Sequence, residues 1–250
     1  MDEVAGWIEE VTDPTPDQCA VGNDITEVEV LAVIQACKAG KATGSGLLGN
    51  DWYRAEFSDT FFESKNYFFC LKKGGDQRKA LNYRPIALPN TDYKVFSRIL
   101  AKRVRATSDE RIRPNQNGFV PGRTIHETLH LFEDAQRCIE EDGEQTEAID
   151  PLLKFMKAYG LISRDFLLKT VKRQGYPVQF IRTVGLLHEG TTATFRANGF
   201  ASRKVSVASG IRQGCPLVPL LFILALDSLY REIERVSSHS VLSRGSWTFA

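Results

Sequence analysis

Apolar side chains recur every three to four positions along several stretches of this chain, which is the period of a helix that buries one face. The pattern predicts helices at 26–40, 91–106, 124–140, 163–174, 177–188 and 216–236. Runs of aromatic and β-branched residues around glycine-containing turns predict hairpins at 67–88 and 191–207, and residues 151–155 predict one more strand. Because strands and helices do not alternate as βαβ units, we predict an α+β fold.

The two ends of the chain lack this periodicity. Residues 1–24 are acidic and contain the segment DPTPDQ, so we expect a flexible lead-in, and we expect residues 237–250 to form an unstructured tail. The N-terminal segment MDEVAGWIEE is acidic where a signal peptide would be basic. The apolar run at 217–226 is about half of the ~20 residues that a membrane span needs. We therefore expect an intracellular protein, in the cytoplasm or nucleus, without a signal peptide or transmembrane segment.

Composition narrows the class of protein without identifying it. The 250 residues are 42% apolar and 25% charged, an ordinary globular balance that argues against wholesale disorder. The five cysteines are odd in number, widely spaced and without a C-x-x-C pair. Neither a disulfide framework nor a cysteine-based zinc site is therefore predicted.

Charge is distributed in blocks, although the 32 basic and 31 acidic residues nearly cancel. Residues 65–125 carry 14 basic and 4 acidic side chains, and residues 151–250 carry 14 and 5. The segments that precede these two blocks are acidic. Residues 1–64 carry 3 basic and 13 acidic side chains, and residues 126–150 carry 1 basic and 9 acidic side chains. Two basic blocks could form a positive cleft that gathers phosphate groups, or they could be solvated faces.

Four long motifs carry a family resemblance. They are LNYRPIALPNTDYKVFSRILAKRV (81–104), QNGFVPGRTIHETL (116–129), FMKAYGLISRDFL (155–167) and SGIRQGCPLVPLLFILALDSL (209–229). Together they resemble the reverse transcriptases of non-LTR retrotransposons, in the order and spacing of that family. The resemblance covers residues 26–236, nearly the whole chain.

The resemblance implies a right-hand polymerase that copies RNA into DNA on an RNA template and a DNA primer. It divides residues 25–236 into fingers at about 25–140 and a partial palm at about 141–236. In the family, two Mg²⁺ ions held by aspartates stabilise the attacking and leaving oxygens of nucleotide transfer, and a basic hairpin holds the triphosphate.

The same resemblance implies a set of nucleotide-binding residues in this chain. Lys73 (or Lys72) and Arg84 correspond to triphosphate contacts, and Tyr159 corresponds to the aromatic ring beneath the sugar. Gln213 and Gly214 lie in the loop that packs against the incoming nucleotide and the template. Taken without the motifs, these residues have simpler interpretations: solvated hairpin charges, a core aromatic and the first turn of a helix.

The chain departs from the family at a metal-binding position. The family strand reads Asp-Phe-x-Lys-Ala-Tyr-Asp, and its first Asp binds both metals. Here Lys154 replaces that first Asp, and Gly160 replaces the second Asp. A lysine ammonium cannot ligate Mg²⁺ and repels it. Asp150 lies four residues away, about 13 Å along an extended strand, and is a poor substitute. No catalytic residue and no metal ligand is therefore assigned, and we predict a catalytically inactive chain that does not bind Mg²⁺.

Two further departures lead us to expect a truncated and degenerate domain. No Tyr-x-Asp-Asp occurs before the chain ends in SRGSWTFA, and a helical segment around 59–63 is largely deleted relative to the family. We expect the deletion to expose apolar surface. The remaining function would then be weak nucleic-acid binding through the basic blocks 65–125 and 151–212, or the chain would be an unfolded relic without function.

A competing motif lies at residues 126–130. His126, Glu127 and His130 match H-E-x-x-H, which places two histidines on one helix face and a glutamate beside them, as in zinc peptidases. A catalytic zinc needs a third protein ligand, and no His follows at the expected spacing. The zinc peptidase therefore remains an alternative hypothesis beside the polymerase one.

Overall fold

The computed structural model describes residues 14–37, 63–71, 76, 78–79, 82–141, 155, 157–197 and 199–239. Its helices are α1 (Pro16–Val21), α2 (Glu27–Gln35), α3 (Thr91–Ala106), α4 (Ser108–Arg111), α5 (Ile125–Glu141), α6 (Ala158–Leu161), α7 (Arg164–Arg173), α8 (Val178–His188) and α9 (Val218–His239). Its strands are β1 (Glu63–Leu71), β2 (Tyr83–Pro89), β3 (Thr192–Ala197), β4 (Phe200–Ala201) and β5 (Val205–Ser206). The mixture of helices with one small sheet agrees with the predicted α+β class.

Five of the six helices predicted from periodicity lie within three residues of their predicted bounds, whereas the helix predicted at 26–40 ends at Gln35. Helix α2 begins at the predicted capping box, in which Thr26 Oγ1 accepts from Glu29 N at 3.3 Å and Glu29 Oε2 accepts from Thr26 N at 3.0 Å. The predicted hairpin at 67–88 is also confirmed, because β1 and β2 pair antiparallel. The strand predicted at 151–155 lies outside the described residues, except for Phe155, which is not in a strand.

Helix α1 differs from the prediction that residues 1–24 form a flexible lead-in. Thr15 caps this helix, and Gln18 is fully buried, with its Nε2 donating to the carbonyl oxygen of Gln174 at 2.8 Å. Val21 packs into the core beside it. These are contacts with distant parts of the chain, which an apolar period cannot reveal. At the other end, α9 continues through residues 237–239 of the predicted tail, since helical hydrogen bonding outlasts the apolar pattern by a few residues.

The sheet has the order β2-β1-β3-β4, with β5 also paired to β3. Strand β1 pairs in parallel with β3, with Tyr67 opposite Arg196, although α3 to α8 lie between them in sequence. Strands β4 and β5 both pair antiparallel with β3, which confirms the predicted hairpin at 191–207.

The core surrounds the first half of α9. Leu220, Leu221 and Leu224 are fully buried there, in one cluster with residues of α3, α7 and α8. Buried Asp227 holds α9 to the segment after α4, because its carboxylate accepts from Arg113 N at 2.9 Å and from Arg231 Nε at 2.7 Å. A smaller cluster of Val33, Val95 and Ile99 joins α2 to α3.

Helix α5 stands apart from this core. No residue of α5 is buried by the described part of the chain, and its exposed apolar side chains include Ile125, Leu129, Phe132 and Ile139. None of the helices within the described ranges has both the length and the apolar composition required to cross a bilayer.

Candidate functional site

The loop at 209–215 is the centre of the candidate site, and it is held on one side by α6. The N–H of Ile211 donates to the carbonyl oxygen of Tyr159 at 2.7 Å, and the N–H of Gly210 donates to that of Ile162 at 3.3 Å. Gly210 has φ +75°, and a Cβ at this position would lie 2.6 Å from the carbonyl oxygen of Gly160. Only glycine therefore allows this approach of the two backbones.

Strand β2 holds the other side of the loop. Gly214 has φ +106°, and a Cβ there would collide with the carbonyl oxygen of Ala87. The sequence interpretation places this glycine in a loop that packs against the incoming nucleotide and the template, and the structure shows a close approach of its backbone to β2. The neighbouring side chain of Gln213 is exposed.

Tyr159 lies beside the loop and is half-buried. Its ring meets that of Phe222 edge to face, with centroids 5.2 Å apart, and the ring centroid of Phe155 lies 6.5 Å from that of Phe222. Burial raises the pKa of the Tyr159 hydroxyl. The phenol therefore stays neutral at physiological pH and can form a hydrogen bond without carrying charge.

Arg212 connects the loop to α3. Its guanidinium carbon lies 4.8 Å from the ring centroid of buried Tyr93, which is the geometry of a cation–π contact. Burial lowers the pKa of Arg212 and raises that of Tyr93. The Arg212 cation therefore fixes the 209–215 loop against α3 and adds positive potential at this loop.

The side chain of Arg164 also holds the 209–215 loop, and the sequence analysis did not assign this residue to the site. Its guanidinium donates to the carbonyl oxygens of Gly210 at 2.9 Å, His188 at 2.7 Å and Val207 at 2.9 Å. Burial lowers its pKa. The signal in the sequence was its place in the motif at 155–167, but Arg164 was counted only among the charges of a basic block.

The structure thus brings together three of the five residues predicted to bind nucleotide. Tyr159, Gln213 and Gly214 lie on or beside the 209–215 loop. Arg84 is in β2, three residues before Ala87, with its backbone opposite Cys70. Lys73 lies outside the described residues, as do Lys72, Lys154 and Asp150.

The residues of the competing zinc motif lie on exposed α5. The side chains of His126, Glu127 and His130 are all exposed. In the part of the chain that the structure describes, no three His, Cys, Asp or Glu side chains are grouped so that they could hold a metal ion.

Comparison with known proteins gives the broader context. A family model described as reverse transcriptase (RNA-dependent DNA polymerase) matches residues 71–242. The chain is 27% identical to the transposon TX1 uncharacterized 149 kDa protein of Xenopus laevis over 187 residues, which are 72% of this chain and 14% of that protein.

Two further relatives come from insect elements. The chain is 28% identical over 168 residues to a retrovirus-related Pol polyprotein from the type-1 retrotransposable element R2 of Popillia japonica, which covers 66% of this chain and 23% of that protein. It is also 28% identical over 155 residues to a probable RNA-directed DNA polymerase from transposon X-element of Drosophila melanogaster, covering 61% of the chain and 17% of that protein. The chain spans less than a quarter of the length of each of these relatives.

Proposed function

The chain belongs to the reverse transcriptase family, as a domain of the non-LTR retrotransposon type, and from this premise we propose that it binds nucleic acid without extending a primer. The observation that carries the proposal is the sequence at 154–160, KFMKAYG, which has Lys154 and Gly160 where the family strand has aspartates.

Two-metal nucleotide transfer needs carboxylate oxygens to hold the ions, and in the family the first of these aspartates binds both of them. Lysine brings a positive charge to a place where two cations must be held, and glycine brings no side-chain oxygen. Gly160 is exposed, and among the residues that the structure describes the nearest neighbour of a Cβ added there is Lys157, so none of their carboxylates replaces the missing one at that point. The residues present do not fit Mg²⁺, and the chemical step is not assigned to this chain.

The loop that we assign to the nucleotide is held in place by the rest of the fold. It carries Gln213 and Gly214, it is held by α6, β2 and Arg164 through the contacts described above, and Tyr159 lies beside it. We assign Tyr159 to the sugar and Gln213 with Gly214 to the base and template. Lys73 and Arg84 are assigned to the triphosphate. We also propose that residues 25–140 form the fingers and that residues 141–236 form a partial palm. These assignments rest on the family motifs.

Primer extension by the 250-residue chain tests the proposal. The reaction contains an RNA template, a DNA primer, four deoxynucleotides and Mg²⁺, and a catalytically intact family member provides the positive control. We expect no extension. Fluorescence anisotropy with the same template–primer should show binding whose affinity falls steeply between 50 and 200 mM KCl, as released counterions require.

Two results would contradict the proposal separately. Extension above background would show that carboxylates elsewhere in the chain hold the metals, and Asp150→Asn and Asp227→Asn would then identify which. Binding that does not change with salt, or no binding at all, would refute the nucleic-acid function while leaving the loss of catalysis intact.

A further inference from the structure

Helix α5 carries a row of apolar side chains that the described part of the chain does not bury. The large apolar residues of this row are 37–64% exposed. Their spacing alternates between four and three residues, which is the heptad spacing of a helix that packs against another helix, and one position of the row is polar. We call these five residues the α5 seam: Ile125, Leu129, Phe132, Gln136 and Ile139.

Two glutamates border the α5 seam on one side. With Phe132 at a d position of the heptad, Glu133 and Glu140 occupy e positions, and both side chains are exposed. Arg137, the only lysine or arginine in α5, forms its ion pair with Asp134 at 3.5 Å, and neither of the two glutamates has a cationic partner within the described ranges. Two negative charges about 10 Å apart therefore lie along one edge of the seam.

The other edge of the seam is uncharged, since Thr128 and Ala135 occupy its g positions. A second copy of α5 in antiparallel packing would bring the acidic e positions of the two copies together. In parallel packing, the e positions would meet only threonine and alanine. Pairing of α5 with itself therefore leaves both glutamates without a cationic partner, and like charges that face each other are unfavourable.

The charge of α5 also argues against nucleic acid as its partner. The helix contains five acidic residues and one arginine, so it repels a phosphate backbone. A helix with an apolar face and lysine or arginine at its edge is attracted to the same surface, because it matches both the apolar seam and the acidic border.

We propose that the α5 seam binds an amphipathic helix of a partner protein, whose apolar face is bordered by lysine or arginine. Burial of Leu129 and Phe132 supplies the affinity, and Glu133 with Glu140 selects basic over acidic helices. The seam is held in place near its start, because the Asn117 side-chain amide lies 2.8 Å from Thr128 Oγ1. The inference goes beyond the proposed function, since the 209–215 loop takes no part in it.

The test uses the full chain and two fluorescein-labelled helical peptides, with dissociation constants measured by anisotropy. Both peptides have Leu at the a and d positions, and one has Lys and the other Glu at the e and g positions, so that each peptide repels its own copies. The Lys peptide should bind at least about tenfold more tightly than the Glu peptide, and added KCl should reduce this difference.

Two pairs of matched variants locate the binding surface. Leu129→Gln should weaken binding of the Lys peptide about tenfold, because a central apolar contact is lost. Its control is Leu186→Gln in α8, where the leucine is 57% exposed compared with 51% for Leu129, and this change should alter the affinity less than twofold. The double variant E133K/E140K should prefer the Glu peptide. The double variant D134K/E141K changes the net charge equally on the other side of α5 and should still prefer the Lys peptide.

Several results would overturn the proposal. They are equal affinity for the two peptides, no binding of either peptide by the unchanged chain, and an equal shift of preference in the two double variants. A dimer in sedimentation that Leu129→Gln dissociates would show that a second copy covers the seam instead. A large loss of stability in Leu129→Gln would show that the chain itself covers it, which also refutes a partner helix. Template–primer binding should be the same in Leu129→Gln and the unchanged chain, so the proposed function is tested separately.

Discussion

His188 is buried as a neutral imidazole at the end of α8. Its Nδ1 lies 2.8 Å from the carbonyl oxygen of Val184, and its Nε2 has no hydrogen-bond partner within the described residues. Burial lowers the pKa of His188 to about 4. The unfolded chain, with a pKa near 6.5, therefore takes up a proton at a higher pH than the folded chain does.

This difference in pKa predicts a loss of stability in weak acid. Between pH 7 and pH 5 the free energy of unfolding should fall by about 2 kcal/mol, because only the unfolded state gains the proton in that range. Urea unfolding at constant ionic strength measures it. His188→Gln removes the titration and should have a flatter profile, and parallel profiles for the two proteins would contradict the assignment.

Glu29 does not interfere with that measurement. Its hydrogen bond to Arg103 lowers the pKa of Glu29 to about 2. The stability that this carboxylate contributes is present above its ordinary pKa of about 4.5 and is lost only as the pH falls from there toward 2. The interval from pH 5 to 7 therefore reports on His188.

Glycines in and around the site provide a graded set of substitutions. Gly210→Ala and Gly214→Ala should each cost more than about 2 kcal/mol, since both combine a left-handed φ with a backbone collision. Gly122 has φ +79° but nothing within 4 Å of an added Cβ, so Gly122→Ala should cost about 1 kcal/mol from φ alone.

Gly160→Ala is the control, because Gly160 has neither a left-handed φ nor a collision: an added Cβ has its nearest neighbour at 4.0 Å. This substitution should leave the free energy of unfolding unchanged. Thermal unfolding followed by circular dichroism ranks the four variants. Equal effects at Gly160 and Gly210 would show that the contact between α6 and the 209–215 loop does not form.

At the scale of elements, the sequence predicted those features that depend on neighbouring residues, such as the bounds of a helix. The bounds of α3 follow from its apolar period, and the start of α2 follows from the capping box at Thr26. The parallel pairing of β1 with β3 could not be predicted, because their register depends on how the intervening helices pack. Helix α1 was missed for a similar reason: its buried Gln18 is stabilised by a partner 156 residues away.

In the site, too, some residues were found from local motifs, and the role of another depends on distant contacts. The family motifs identified Tyr159, Gln213 and Gly214, and the structure places them around one loop. The role of Arg164 was not predictable, because its three carbonyl partners lie in two distant segments, the end of α8 and residues 207–210. A basic residue in a sequence does not reveal whether its guanidinium faces solvent or closes a loop.

Helix α5 gives a prediction about apolar residues that are not in the core. Phe132→Lys should change the free energy of unfolding by less than about 0.5 kcal/mol, because the ring is 39% exposed and α5 has no buried residue in the described structure. Leu220→Ala, at a fully packed position of α9, should cost about 3 kcal/mol. Urea denaturation compares the two variants.

The same helix should bind a hydrophobic dye in the native state. Phe132→Lys should reduce 8-anilinonaphthalene-1-sulfonate fluorescence without changing the unfolding midpoint. A loss of more than 2 kcal/mol in Phe132→Lys would instead show that a part of the chain outside the described residues covers this face. The expectation that apolar surface is exposed would then be wrong for α5.

For the molecule as a whole, the basic blocks contain two populations of arginine. One population holds the fold together. Arg103 forms a bidentate pair with Glu29 at 2.7 and 2.8 Å, and Arg123 donates to the carbonyl oxygens of Arg113 and Gln116. The other population, which includes Arg78, Arg196 and Arg203, is exposed. The net charge of a block therefore overstates the number of cations that can meet phosphate.

This division predicts opposite effects from two arginine substitutions. Arg123→Lys should destabilise the fold by about 2 kcal/mol, because one ammonium cannot reproduce a planar fork that contacts Asp109 at 2.6 Å and several carbonyl oxygens at once. Its RNA affinity, measured well below the unfolding transition, should keep the salt slope of the unchanged chain. Arg203→Ala should do the reverse, with an unchanged unfolding midpoint and a slope lowered by about 0.7, the equivalent of one phosphate contact. Anisotropy titrations and urea denaturation on the same three proteins provide both readouts. If the two variants lowered the salt slope equally, Arg123 would have to reach solvent and phosphate, and the loop between α4 and α5 would need another source of stability.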